Sequence, residues 1–271
     1  MGKRGEDYEA TIARKIREGR GLGEFKNYKP WLEIHEFPSK GRSHIILSAT
    51  VGREHHFLSD LEEAVFLYAD FSPFVVDIRE QFPLFSRTET AAIAEEMGVK
   101  HPSHSGSNDV LTEDFVFTMR DSTLGTKARQ VKRSEDLNEP AVREKLEIQR
   151  RYFARFKIDW KIITEHDLNP AITRNLQWLR RGALEVFPDV VADEFVRVIV
   201  ECGPLDTLSR AIQRAGQSVN MERDQAALLF QKLVWNHDLE IDIHQPIELS
   251  SPISALHLRA STMSSQHEYA A

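Results

Sequence analysis

The chain has 271 residues, 41% of them hydrophobic and 28% charged, an ordinary globular composition long enough for one large domain and a smaller one. Its 35 Lys and Arg stand against 42 Asp and Glu, a formal charge of −7, which excludes indiscriminate coating of nucleic acid and confines any such contact to a local patch. Cys202 is the only cysteine, so an intramolecular disulfide and a cysteine-based zinc site are excluded, and no apolar run approaches the roughly 20 residues that span a bilayer.

From the amino terminus, Met1 to Arg20 is dense in charge and lacks the apolar core of a secretory signal, so a cytoplasmic location is expected. Tyr8, Ile12 and Ile16, spaced four apart, predict an amphipathic helix over 7–18, ended by Gly19, Gly21 and Gly23. That glycine stretch has no Gly-Lys-Ser/Thr ending and reads as a loop, not a phosphate cradle. Residues 31–37 and 43–48 read as short strands around a turn at Pro38 to Gly41. Ser59 is a natural N-cap for a helix through Asp70, Phe74 to Phe82 suits an extended segment, and 88–97 suits a short helix.

Thr112 to Met119 predicts a strand, Arg120 to Thr126 a turn, and Lys127 to Lys132 the returning partner. Pro140 opens a long helix to Phe156, and Ile158 to Thr164 is a further strand. The order of helix, hairpin, helix and strand fits an α/β layer architecture with one mixed sheet over 1–170. Beyond it, helical patterns at 191–201, 206–215 and 221–236, then the alternating Leu239 to Ile243, suggest a winged-helix-like domain over 171–260. Residues 261–271 are Ser-rich and polar and read as a flexible tail.

The chemistry concentrates at the hairpin. Asp114 on its first strand and Gln130 on its second can share a face, and Lys132 joins them because residues two apart point the same way. Hydrolysis of a phosphodiester needs charge neutralisation and an activated water, and hard divalent ions held by carboxylates supply both. Asp114, the Gln130 amide and the Val131 main-chain carbonyl are candidate metal ligands, and Lys132 a group to position water and stabilise charge, the pattern of a Mg²⁺-dependent DNA endonuclease with Mn²⁺ able to substitute. Glu62 is a candidate fourth ligand. Bland readings stand beside these: Ser59-x-x-Glu62 is also a capping box with Glu62 bonded back to the Ser59 amide, and an Asp and a Lys on neighbouring strands form ordinary ion pairs. Arg120, Lys127, Arg129 and Arg133 on the hairpin, and Arg143, Lys145, Arg150, Arg151, Arg155 and Lys157 on the following helix, are candidate phosphate contacts or a solvated face. His55-His56 and His101-x-x-His104 are not expected to bind zinc.

Ile12 to Gly21, Gly41-Arg-Ser-His44, His55 to Glu62, Asp77 to Leu84 and Gln130-Val-Lys132 together resemble the TnsA family of transposon endonucleases, over about residues 5 to 180. The resemblance implies a restriction-endonuclease-like catalytic domain and a subunit of a heteromeric transposase that cuts the 5′ strands of double-stranded DNA at transposon ends. It implies a partner transposase of the DDE class and an AAA+ regulator ATPase. The family's catalytic Glu, Asp and Lys fall on Glu62, Asp114 and Lys132, with Gln130 in the metal site. Family members carry an acidic residue where this helix has Gln149. A free-standing restriction- or repair-type nuclease, and a non-catalytic adaptor of the same fold, are the rival readings.

Overall fold

The computed structural model describes residues 3–36, 42–104 and 106–261. They divide into two compact units, Met1–Leu168 and Asn169–Ala271. The tail expected over 261–271 lies, from 262 on, outside the described residues.

The first unit opens with helix α1 (Lys3–Arg17), followed by the hairpin β1 (His44–Leu47) and β2 (Glu54–Phe57). Helix α2 (Asp60–Phe71) leads into β3 (Val75–Pro83), then α3 (Arg87–Glu96) and the two-residue pair β4 (Ser103–His104) and β5 (Ser107–Asn108). The hairpin β6 (Thr112–Met119) and β7 (Thr126–Val131), helix α4 (Pro140–Arg155) and β8 (Asp159–Ile163) complete it. The main sheet has the order β3-β6-β7-β8; β6 is antiparallel to both neighbours and β8 is parallel to β7, so the sheet is mixed, as the element order predicts. The parallel pair requires a crossover, and α4 is that crossover.

Alternation along β6 feeds two cores. Val116 packs with Leu84, Ile93, Ala128, Ile148 and Phe153, the side of α3 and α4. Phe115 meets Phe57, which lies 4.7 Å from Phe66 of α2 between ring centres. The glycine stretch after α1 is held to the end of β3: Gly21 has φ +76°, and a Cβ there would fall 2.2 Å from Cγ of Pro83.

One expected strand does not form. Residues 31–36 carry only a short 3-10 turn, Ile34–Glu36, and Phe37 lies outside the described residues. Their polar groups go elsewhere: the Trp31 amide donates to Gln81 O, Lys15 Nζ donates to Trp31 O, and the Glu36 carboxylate takes Lys15 Nζ at 2.8 Å. The partner of β1 is instead β2, with Ser48 N bonded to Arg53 O across the turn.

The second unit contains α5 (Pro170–Ala183), α6 (Asp189–Val200), α7 (Leu208–Ser218) and α8 (Arg223–Trp235), around Phe195, Leu208, Ile212 and Phe230. Gly182 lets α5 approach α8 closely; a Cβ there would lie 2.2 Å from Leu228 O. A strand pair follows, but β9 (Leu239–Glu240) and, after the short α9 (Ile253–Leu256), β10 (Arg259–Ala260) are two residues each. The alternation through Ile243 does not become strand because Asn175 Nδ2 takes the carbonyls of Ile243 and Gln245 and the Asp242 amide donates to Leu256 O. No helix among the described residues is long and apolar enough to cross a membrane.

Candidate active site

The β6–β7 register pairs Phe115 with Arg129, and one step further it sets Asp114 across from Gln130. Asp114 is buried, and its Oδ2 accepts three bonds: from Gln130 Nε2 at 2.5 Å, Val131 N at 2.7 Å and Lys132 Nζ at 3.3 Å. All three of these bonds fall on Oδ2 and none on Oδ1. Lys132 Nζ also donates to Val131 O at 2.7 Å, so two of its three protons are placed and one remains. Its ammonium is held above the usual lysine range: burial pulls it down, and Asp114, with Glu62 and Glu113 behind it, more than offsets that.

Glu62 arrives from the first turn of α2, because Ser59 caps that helix through the Glu62 amide at 3.1 Å. The capping box expected from the sequence differs in one bond. The Glu62 carboxylate does not return to the Ser59 amide; it accepts from Leu58 N at 3.1 Å and Ser59 Oγ at 3.0 Å, which turns the head inward. Burial, and then the negative charge of Asp114, push Glu62 up to about 7. Glu62 and Lys132 line a cavity of about 600 Å³ together with Ser59, Val131, Arg42 and Arg133.

Gln130 departs from its expected role. It offers its amide nitrogen to Asp114, while its oxygen accepts from Gln149 Nε2 at 2.8 Å. Gln149 is fully buried on α4, and its Nε2 also faces Thr112 O at 2.9 Å and Glu113 Oε2 at 3.2 Å. The Val131 carbonyl is engaged by Lys132 but keeps a second lone pair. The site residues named from the sequence therefore converge, with Gln130 turned about.

Two buried neighbours, Glu113 and Gln81, carry no mark of their own in the sequence. Glu113 is fully buried and held well above the carboxylate range, first by burial and then by Asp114. Gln81 reaches Glu62 Oε2 at 3.4 Å. Lys145, a candidate phosphate contact from the sequence, is half-buried and carries no ion pair among the described residues; burial, and then Lys132, lower its pKa. Strand alternation carries no signal for buried acids or amides, so only the positions of Glu113 and Gln81 beside recognisable motifs hinted at them.

The expected phosphate contacts are mostly engaged within the chain. Arg150 and Arg151 share Glu147, Lys127 and Arg129 share Asp159, Arg133 pairs with Glu135, and Arg155 pairs with Glu89 and Glu96. His55 is tied to Glu80 at 2.8 Å, and His101 to Thr90 and Pro102. On the outer side of the α2 terminus, His44 Nε2 lies 2.7 Å from Asp60 and 3.4 Å from Glu63, near enough to share a cation and accounted for as ion pairs.

The donor set fits a hard divalent cation. Glu62 lines the cavity beside Lys132, and burial and the nearby negative charge of Asp114 raise its pKa, an unfavourable crowding of acids that oxygen-ligated Mg²⁺ or Mn²⁺ would offset.

Comparison with known proteins finds relatives of the segment that carries most of this site. Residues 72–165, which contain Asp114, Gln130, Lys132 and Gln149 but not Glu62, match the family model described as TnsA-like endonuclease N terminal. The chain is 46% identical over 171 residues to the transposon Tn7 transposition protein TnsA of Escherichia coli, an alignment that covers 63% of this chain and 62% of that protein. The mixed sheet is consistent with the restriction-endonuclease-like architecture implied by the resemblance. Aligned sequence, matched domain and sheet agree that this chain is similar to the TnsA-like endonucleases, chiefly over the segment that carries the hairpin.

Proposed function

We propose that this chain is the endonuclease subunit of a cut-and-paste transposase, hydrolysing the 5′ strands of double-stranded DNA at transposon ends with Mg²⁺. The observation that supports the reading is that Lys132, bonded to the buried Asp114, lines a cavity of about 600 Å³ together with Glu62. Glu62, Asp114 through Oδ1, and the Val131 carbonyl are the ligands for the ion, and Gln130 joins them only if its amide turns over. The bound ion would neutralise charge on the scissile phosphate and acidify a water. Asp114 and the Val131 carbonyl hold Lys132 so that its remaining proton is free to orient the water or meet charge developing on phosphate.

The partners in this reading are a DDE-class transposase, which cuts and joins the 3′ ends, and an AAA+ regulator ATPase. The second unit, read as winged-helix-like, serves contact with DNA or with the regulator. In a reconstituted transposition reaction, Lys132→Ala is expected to lose the 5′ cuts while 3′-end joining persists; normal 5′ cutting by that variant would overturn the assignment. Cleavage of naked DNA by the purified chain without partners would favour a free-standing nuclease instead.

A further inference from the structure

Gln81 lies inside β3, between Glu80, which pairs with Phe115, and Phe82, which pairs with Glu113, so it stands across from Asp114. Its φ is +47°, the left-handed region, in the middle of a nine-residue strand. A long side chain in that region is strained, and glycine would occupy it without strain. Strain of this kind collects at functional sites, where the side chain has a task that glycine cannot perform. Gln81 is also buried, and its main-chain carbonyl is engaged by the Trp31 amide.

We infer that Gln81 is a positioning residue that sets the Glu62 carboxylate toward Asp114. Its Nε2 faces Glu62 Oε2 at 3.4 Å, the same oxygen that accepts from Leu58 N, while Ser59 Oγ holds Oε1. Three donors from two elements thus fix the plane of one carboxylate: two from the α2 terminus, and one from the strand beside Asp114. The amide suits the task because it is neutral. A lysine or arginine at this position would neutralise Glu62 and compete with a cation, and a glutamate would repel it. An N–H donor orients the acid and leaves its charge for the ion, as the outer partners of metal ligands do.

The inference rests on Glu62 and Asp114 being metal ligands, and the test separates the two claims. Mn²⁺ is titrated calorimetrically into the full chain as wild type, Asp114→Ala, Gln81→Gly and Gln81→Met, and each is melted without metal. Gln81→Gly relieves the backbone and is expected to melt no lower than wild type, yet to bind Mn²⁺ about tenfold more weakly or worse. Gln81→Met, similar in length but without the donor, is expected to show the same loss of affinity, and it carries the test should the glycine variant fail to fold. In cleavage assays both need more metal for half-maximal rate while keeping kcat at saturating metal. Wild-type Mn²⁺ affinity in the two Gln81 variants overturns the inference and leaves the metal site standing. Identical heats for wild type and Asp114→Ala overturn the metal site, and the inference with it.

Discussion

At the scale of single residues, the acids of the site work against the fold that holds them. Glu62 stands at about 7 against an ordinary 4.5 because burial and Asp114 both disfavour its charge. Between those values the folded chain keeps a proton that the unfolded chain has released, so the stability tied to Glu62 is full below about 4.5 and is lost as pH rises to about 7. In metal-free protein, Glu62→Gln is therefore expected to melt higher than wild type above pH 7, with the gap closing toward pH 4.5, and to lose the Mn²⁺ heat. Melting curves across pH, paired with calorimetry, check both halves.

Gln149 makes the opposite case. Its amide nitrogen faces Thr112 O, Glu113 and Gln130 Oε1, all acceptors, so a carboxylate there would have no donor to meet and would sit against Glu113. Gln149→Glu is expected to cost roughly 3 kcal/mol in metal-free protein at pH 8, from an uncompensated buried charge, as read by urea unfolding.

At the scale of elements, the site depends on where α2 starts and where β6 meets β7. Ser59 both caps α2 and donates to Glu62, so it sets the helix start and the direction of the acid together. Ser59→Ala is expected to cost about 1 kcal/mol of stability and to weaken Mn²⁺ binding, whereas a plain cap would lower the melting temperature alone. The far end of α2 is anchored by Asp70, which accepts from Ser48 Oγ and the amides of Ala49 and Thr50 and so ties the β1–β2 turn to the helix. These elements were legible in advance because capping residues, turn residues and β-branched runs act locally. The 31–36 segment departs from the expected strand for the complementary reason: its composition suits a strand, but Lys15 and Gln81, distant in the chain, claim its hydrogen-bonding groups. In the second unit Asn175 does the same to the carbonyls of Ile243 and Gln245.

At the scale of the molecule, every residue assigned to the site belongs to the first of the two units. The fragment 1–168 is accordingly expected to fold by itself and to bind Mn²⁺ with the affinity of the full chain, checked by circular dichroism and calorimetry. Gly182→Ala, which drives a methyl against the Leu228 carbonyl, is expected to destabilise the second unit by more than about 1 kcal/mol and to leave the Mn²⁺ heat unchanged. The net charge of −7 agrees with the widespread internal pairing of the basic residues near the hairpin, since few of them remain to hold DNA non-specifically.

What the sequence by itself determined is the run of most local elements and the choice of Asp114, Lys132 and Glu62 as candidate site residues. Strand period, helix capping and motif order are properties of neighbouring residues, and the hairpin brings Asp114 and Gln130 together by register alone. Only the tertiary structure decided which atoms face which. It turned the Gln130 amide toward Asp114 because Gln149 of α4 holds its oxygen, and it twisted Gln81 into a left-handed conformation beside Glu62. It also buried Glu113 next to the charge of Asp114. Those outcomes depend on donors and acceptors brought together from separate elements, and on the loss of water around them, neither of which is encoded in any one stretch of chain.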